Sequence, residues 1–240
     1  MREVMLALLF GMLAAPLLAA EPAHWRLEWP DTDFARRSVD LAEIIPGGPP
    51  RDGIPAIDEP EFAPVAEGTL PDNEPVIGLV LNGDARAYPL RVLIWHEIVN
   101  DVVGGVPVAV TYAPLGNTAL VFNRRLGDRV LEFGSTGKLR HSGLIMYDRS
   151  TESWWQQFSG EAIVGELTGA RFVMVPARLE SFAGFRQRAP AGRVQVPPTN
   201  APAYGANSYV NYDSAPAPFL YHGMLPQGHR AARPRGPGRR

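Results

Sequence analysis

Residues 76–90 read VIGLVLNGDARAYPL, and the reading of that stretch decides the fold. Two apolar runs flank Asn82-Gly83-Asp84. An Asn-Gly pair tolerates the positive φ angles of a tight hairpin turn, so the stretch predicts two antiparallel strands. Working outward, the same grammar of short strands and frequent turns repeats. HEIVNDV and VPVAVTY flank Gly104-Gly105, and TALVFNRR and RVLEFGS flank Leu126-Gly127-Asp128. GLIMYDR, EAIVGEL and ARFVMVPA are further strand candidates around the aromatic stretch SWWQQF. Helix signals are few. Pro89 suits the first turn of a brief helix through Ile94. RLESFAGFRQRA carries Leu179, Phe182 and Phe185 at helical spacing, with Pro190 after it. The expectation is a mainly β, β-rich α+β fold: a bent sheet or partly closed barrel of short antiparallel strands, with one or two short helices.

Four segments follow from composition. Residues 1–20, MREVMLALLFGMLAAPLLAA, run from Arg2 through an apolar stretch to small residues, the layout of a secretory signal peptide. The protein is therefore expected to be exported and periplasmic, with no stable membrane span once the signal is cleaved, since no later stretch approaches 18 apolar residues. Residues 21–75 read as an extended lead-in rich in Pro, Gly and acids, and 76–225 as the β-rich domain. Residues 226–240 read as a basic, disordered tail. HRAARPRGPGRR uses residues with GC-rich codons, as an out-of-frame read of such DNA would, and Arg outnumbers Lys 22 to 1 across the chain.

The chain has no cysteine, which excludes disulfides, thiolate metal sites and a cysteine nucleophile. Its formal charge of −2 hides an asymmetry, because five Arg sit in the last 14 residues. Without them 23 − 5 = 18 basic residues face 25 acidic ones, a balance of −7. A domain so acidic is a poor phosphate binder, so nucleic acid is not an expected partner.

Candidate functional residues concentrate in four places. In VTYAPLGNTALVF, residues 110–122, Thr111, Asn117 and Thr118 sit around a turn that a plain hairpin would build without polar side chains. Asn117 also suits such a turn by bonding its own backbone. In WHEIVND, residues 95–101, Glu97 and Asp101 share one face whether the stretch is strand or helix. Two converging carboxylates bind a cation or raise one carboxyl's pKa for acid–base work; as a half-exposed strand the same charges would point to water. His96 and Glu97 are the candidate catalytic residues. His141 and Asp148 in GSTGKLRHSGLIMYDR complete, with His96, a three-ligand set for a divalent metal ion. Trp155 and Gln156 in SWWQQF offer an indole and an amide to a small ligand, or core packing by one Trp and edge cover by the other. NSYVNYDSAPAPFLYHG, residues 207–223, reads as a strap packing Phe219 and Tyr221 onto the domain.

These stretches together resemble a bacterial family catalogued as domain of unknown function 3179. The resemblance rests on DGIPAID, LNGDARAYPLR, WHEIVND, GGVPVAVTY, FGSTGKLRHSGLIMYDR, TESWWQQFSGEAIVG and NSYVNYDSAPAPFL, in that order over about residues 52–221. It implies an exported or membrane-associated β-rich domain and no particular reaction. Members look like TYCPLC at the opening of the 110–122 stretch; here Ala113 and Gly116 occupy the two cysteine positions. Such a pair suggests thiol redox chemistry or soft-metal binding.

The expectation is then one pocket for an unknown small ligand or cation, formed by His96, Glu97, Thr111, Asn117, Thr118, His141, Asp148, Trp155 and Gln156. Three classes stay open: an enzyme, a non-catalytic binding or assembly module, and a family member disabled by loss of its cysteine pair.

Overall fold

In the computed structural model of the chain, which describes residues 22–198, 204–215 and 219–221, the first hairpin forms as its turn predicts. Pro75–Leu81 pairs antiparallel with Asp84–Pro89, and Asn82 and Gly83 both take positive φ. The second hairpin joins Ile98–Val103 to Val106–Ala113 through Gly104 and Gly105, again both at positive φ. A side chain at Gly104 would collide with the carbonyl of Leu81, so that turn also locks the two hairpins together. The third hairpin shrinks to Arg125–Leu126 and Arg129–Val130. The expected signal peptide, residues 1–20, and the expected tail, residues 226–240, lie outside the described residues.

Among the described residues three mainly antiparallel sheets carry the fold, and none closes into a barrel. The central one runs Val173–Val175, Thr118–Asn123, Val106–Ala113, Ile98–Val103 in spatial order. One flanking sheet is built on Phe133–Arg140 and Gly143–Asp148 and continues through Trp154–Gln156 to Glu161–Val164. The other is built on the first hairpin, with Arg193–Gln195 joining Asp84–Pro89 as a parallel neighbour. Because successive strand residues face opposite sides, each covered sheet feeds two cores. Val108, Val110 and Val121 pack toward Ile77, Tyr88 and Leu93. Ala109 and Phe122 pack the other way, toward Phe133, Met146 and Trp155.

The same rule separates the paired indoles. Trp155 enters the central core, while Trp154 faces Trp25, Trp29, Phe34 and Leu41 of the lead-in, and both indoles are fully buried. The reading of one Trp as edge cover therefore fails: Ala23–Glu28 and the chain after it cover the far face of that sheet. Lys138 pins this layer. Its ammonium bonds Glu28 at 2.7 Å and lies over the rings of Trp25, Trp29 and Trp154.

The described residues hold three short α-helices, Ala23–Glu28, Leu90–His96 and Phe182–Arg188. The last is shorter than its pattern predicts. Ser181 caps it by accepting from the Gly184 N–H, and Arg178–Ser181 instead adds a strand beside Pro75–Leu81. Leu179, expected on the helix's apolar face, is half exposed, whereas Phe182 and Phe185 are buried. Phe219, expected to pack as a strap, is 61% exposed. Among the described residues no helix is long and apolar enough to cross a membrane.

Candidate functional site

WHEIVND is neither one strand nor one helix. The helix Leu90–His96 ends at His96, the strand Ile98–Val103 begins at Ile98, and Glu97 is the joint, at φ 59° and ψ −30°. Its N–H still reaches the Leu93 carbonyl at 2.6 Å. That position favours glycine, and a non-glycine residue there costs about 1–3 kcal/mol, a strain typical of functional sites. The joint also separates the two carboxylates expected to converge. Asp101 is held by Arg86 at 2.6 and 2.7 Å and accepts from the Tyr88 hydroxyl at 2.6 Å. It is a structural anion.

Glu97 is different. It is 7% exposed, and burial alone pushes its carboxyl from 4.5 up to about 7, with no side-chain hydrogen bond from any described residue to hold the ionised form. A cleft of about 460 Å³ is lined by Tyr112, Tyr209 and Tyr212 with Asn117, Asn207 and Asn211; Glu97 does not line it but lies close enough to Tyr209 for its charge to act on that hydroxyl. The Tyr112 N–H donates to the Glu97 carbonyl at 2.8 Å. Burial, and then the charge of Glu97, push the Tyr209 hydroxyl up to about 12. A smaller hollow of about 250 Å³ next to it shares Ile94, Tyr112 and Asn207 and ends at Glu74 and Arg91, which form an ion pair.

His96 anchors the cover of this site. Its Nδ1 donates to the Pro55 carbonyl at 2.8 Å and its Nε2 accepts from the Tyr204 hydroxyl at 2.7 Å. Burial pulls the imidazole's pKa below its ordinary value, against the opposing hydrogen bond to Pro55. With both nitrogens taken, His96 holds residues 204–215 to the core and is not the free base the sequence suggests.

The opening turn of the 110–122 stretch divides the expected pocket in two. Pro114–Gly116 is a 3₁₀ turn ending at Asn117, whose φ of 44° and ψ of 46° are left-handed. With three residues per turn, positions three apart share a side. Pro114 and Asn117 face the tyrosine cleft, while Ala113 and Gly116 face a second cleft of about 350 Å³ with Thr118, His141 and Gln156. The positions where the family resemblance implies cysteines therefore lie together on that second cleft.

Other expected residues fall away from both. Asp148 is fully buried and accepts from Thr151, Ser150 and the Trp155 indole N–H, so both acid and indole are core groups. Trp155 cannot stack on a ligand. Thr111 is fully buried and donates to the Leu120 carbonyl. The metal set is not assembled: His96 is spent on Pro55 and Tyr204, Asp148 is sealed in the core, and His141 lies 3.4 Å from Glu43 on an exposed hairpin tip. Among the described residues no group of three or more His, Cys, Asp or Glu is placed to hold a metal ion.

The residues that sequence reasoning missed are Tyr204, Tyr209 and Tyr212 with their asparagines. The signal was present in NSYVNYD, where Tyr209 and Tyr212 recur three apart, each following an Asn, Asn207 two residues before and Asn211 one residue before. A family model described as protein of unknown function (DUF3179) matches residues 51–235. No curated protein and no solved structure matches the chain.

Proposed function

The chain belongs to this family of proteins of unknown function, and from that premise we propose that it is an exported domain that binds a small polar ligand in the tyrosine-walled cleft, with the buried Glu97 next to Tyr209 setting the pH at which the ligand binds. The observation that carries the reading is Glu97 itself. A carboxyl buried without a partner, on a strained backbone, and next to two tyrosines that line a hollow large enough for a small molecule is a costly arrangement for packing alone. Its near-neutral pKa suits a group that must both take and give a proton at neutral pH. The tyrosines supply ring faces, and the asparagines supply donors and acceptors. Export is supported by the charged, apolar and small-residue order of residues 1–20.

The test is a ligand-observed NMR screen of small neutral amides, alcohols and hydroxy acids. Binding is expected to change between pH 6 and pH 8 (about one pH unit either side of the Glu97 value). Glu97→Gln should remove that pH dependence, and Tyr209→Ala should remove the binding. Hits that all survive Tyr209→Ala would overturn the reading.

A second reading, a member that has lost a thiol step, is favoured by the placement of Ala113 and Gly116 on one cleft wall. A Cβ at Gly116 would meet only the Thr118 side chain, at 2.9 Å from its hydroxyl, which can rotate away. The double variant Ala113→Cys with Gly116→Cys should therefore fold and titrate as an interacting thiol pair. Two thiols that titrate independently near 8.5 would count against it.

A further inference from the structure

The second cleft is lined by two glutamine amides, three hydroxyls and an aromatic ring, together with Arg140 and His141. Gln157 is 1% exposed, and its Nε2 donates to Thr111 Oγ1 at 2.9 Å and to the Thr118 carbonyl at 3.3 Å. Thr111 spends its own proton on the Leu120 carbonyl, so it can only accept from Gln157, and the amide's orientation is fixed. That leaves Gln157 Oε1 buried without a partner, on a residue that lines the cleft. Gln156, 7% exposed, lines the same wall, and its Oε1 is also unpartnered. Its amide makes no hydrogen bond to any described residue, so nothing prevents it from turning to a donor.

Two of the three hydroxyls at the cleft are already donating, while the third, on exposed Ser159, makes no hydrogen bond to any described residue. Thr118 donates to the Gly116 carbonyl at 2.9 Å and Ser142 to the Phe219 carbonyl at 3.2 Å. The charge at the rim is compensated, since Glu43 takes both Arg140, at 2.6 Å, and His141. Phe158 lines the cleft as well, 68% exposed. The lip is strained: His141 and Ser142 form a two-residue hairpin turn at φ 51° and 59°, where Asn-Gly would sit at ease.

We infer that this cleft is a second binding site, independent of Glu97, for a neutral polyhydroxyl ligand of the saccharide class. An unbonded amide that can turn and a hydroxyl without a partner are matched by a ligand whose O–H groups both donate and accept. An exposed aromatic ring beside them suits the C–H face of a sugar. An anion would meet no uncompensated cation, because Arg140 and His141 are already engaged by Glu43. A cation would find no uncompensated carboxylate and would sit next to Arg140.

The experiment is a titration of the full chain, followed by amide shifts in ¹H–¹⁵N NMR, with glucose, N-acetylglucosamine and sorbitol as probes. Ethylammonium chloride is the cationic comparison. The expected result is saturable binding of at least one polyol in the millimolar range, moving the amides of Gly116, Thr118 and Gly143. Phe158→Ala, a change at an exposed position, and Gln156→Ala should each weaken it about tenfold or more. A native-like spectrum in each variant separates that loss from misfolding. Preferential binding of ethylammonium, absence of saturation for every polyol, or polyol binding unchanged in Phe158→Ala would each overturn the assignment.

Discussion

Replacing Glu97 with Gln removes one titrating carboxyl and leaves its shape. In the native protein burial moves that carboxyl from 4.5 up to about 7. Between those values the folded chain keeps a proton that the unfolded chain has released. The folded state then binds more protons, so stability falls as pH rises. The contribution is fully present below about pH 4.5 and is lost as pH climbs through about 7. A gap of about 2.5 pH units is worth about 3 kcal/mol. The carboxyl is buried deeply enough for most of that to be felt. Urea unfolding of both proteins, from about pH 4.5 to about 8.5, measures it. The stability of the native chain relative to Glu97→Gln should fall by about 3 kcal/mol across that range. His96 acts with the opposite sign. Burial lowers its pKa, so its stabilisation is present above about 6.5 and is lost as pH falls. It is common to both proteins and cancels in the difference. Parallel stability curves, or a native chain that gains on the variant as pH rises, would refute the argument that Glu97 is buried without a partner.

Three further outcomes follow from named contacts. Asp101→Ala should cost about 3 kcal/mol in urea unfolding, because it leaves Arg86 half-compensated by Asp84 and the Tyr88 hydroxyl without an acceptor; a loss under about 1 kcal/mol would show that the pair is not structural. Exchanging His141-Ser142 for Asn-Gly should raise stability by about 1–2 kcal/mol by calorimetry, since both residues leave a backbone region that disfavours them; no gain would mean that the turn is unstrained. Tyr204→Phe removes the hydroxyl that donates to His96 Nε2. Hydrogen exchange across residues 204–215 should accelerate while that of the 75–89 hairpin does not, and uniform exchange across both would show that His96 does not hold the cover.

Much of the fold was legible because its turns are chemically explicit. Asn82-Gly83 and Gly104-Gly105 can hardly be read otherwise, and both close hairpins. The His141-Ser142 hairpin was not legible, since neither residue favours positive φ and nothing local announces the turn. Leu179 misled for a related reason. Helical spacing is blind to a cap at Ser181 and to a sheet edge that needs a partner strand at Arg178–Ser181. The tryptophan pair shows what local pattern leaves out. Alternation sends Trp154 and Trp155 to opposite faces, but only the lead-in's Trp25 and Trp29, more than a hundred residues earlier, make both faces interior.

The candidate site divides in the same way between what neighbours dictate and what distance supplies. Glu97 was legible as a candidate, but Tyr209, the cleft hydroxyl that feels its charge, lies far along the chain. The expectation of a single pocket failed on one geometric point. A turn read as a hairpin tip would present Ala113 through Thr118 to one space. As a 3₁₀ turn it presents every third residue to the same side, so Pro114 and Asn117 serve the tyrosine cleft while Ala113 and Gly116 serve the amide cleft. Three-residue spacing is also the spacing of a CxxC pair. The turn that splits the pocket is therefore the geometry that would bring two thiols to one wall, and lengthening it by a single residue should move the second position to the other cleft.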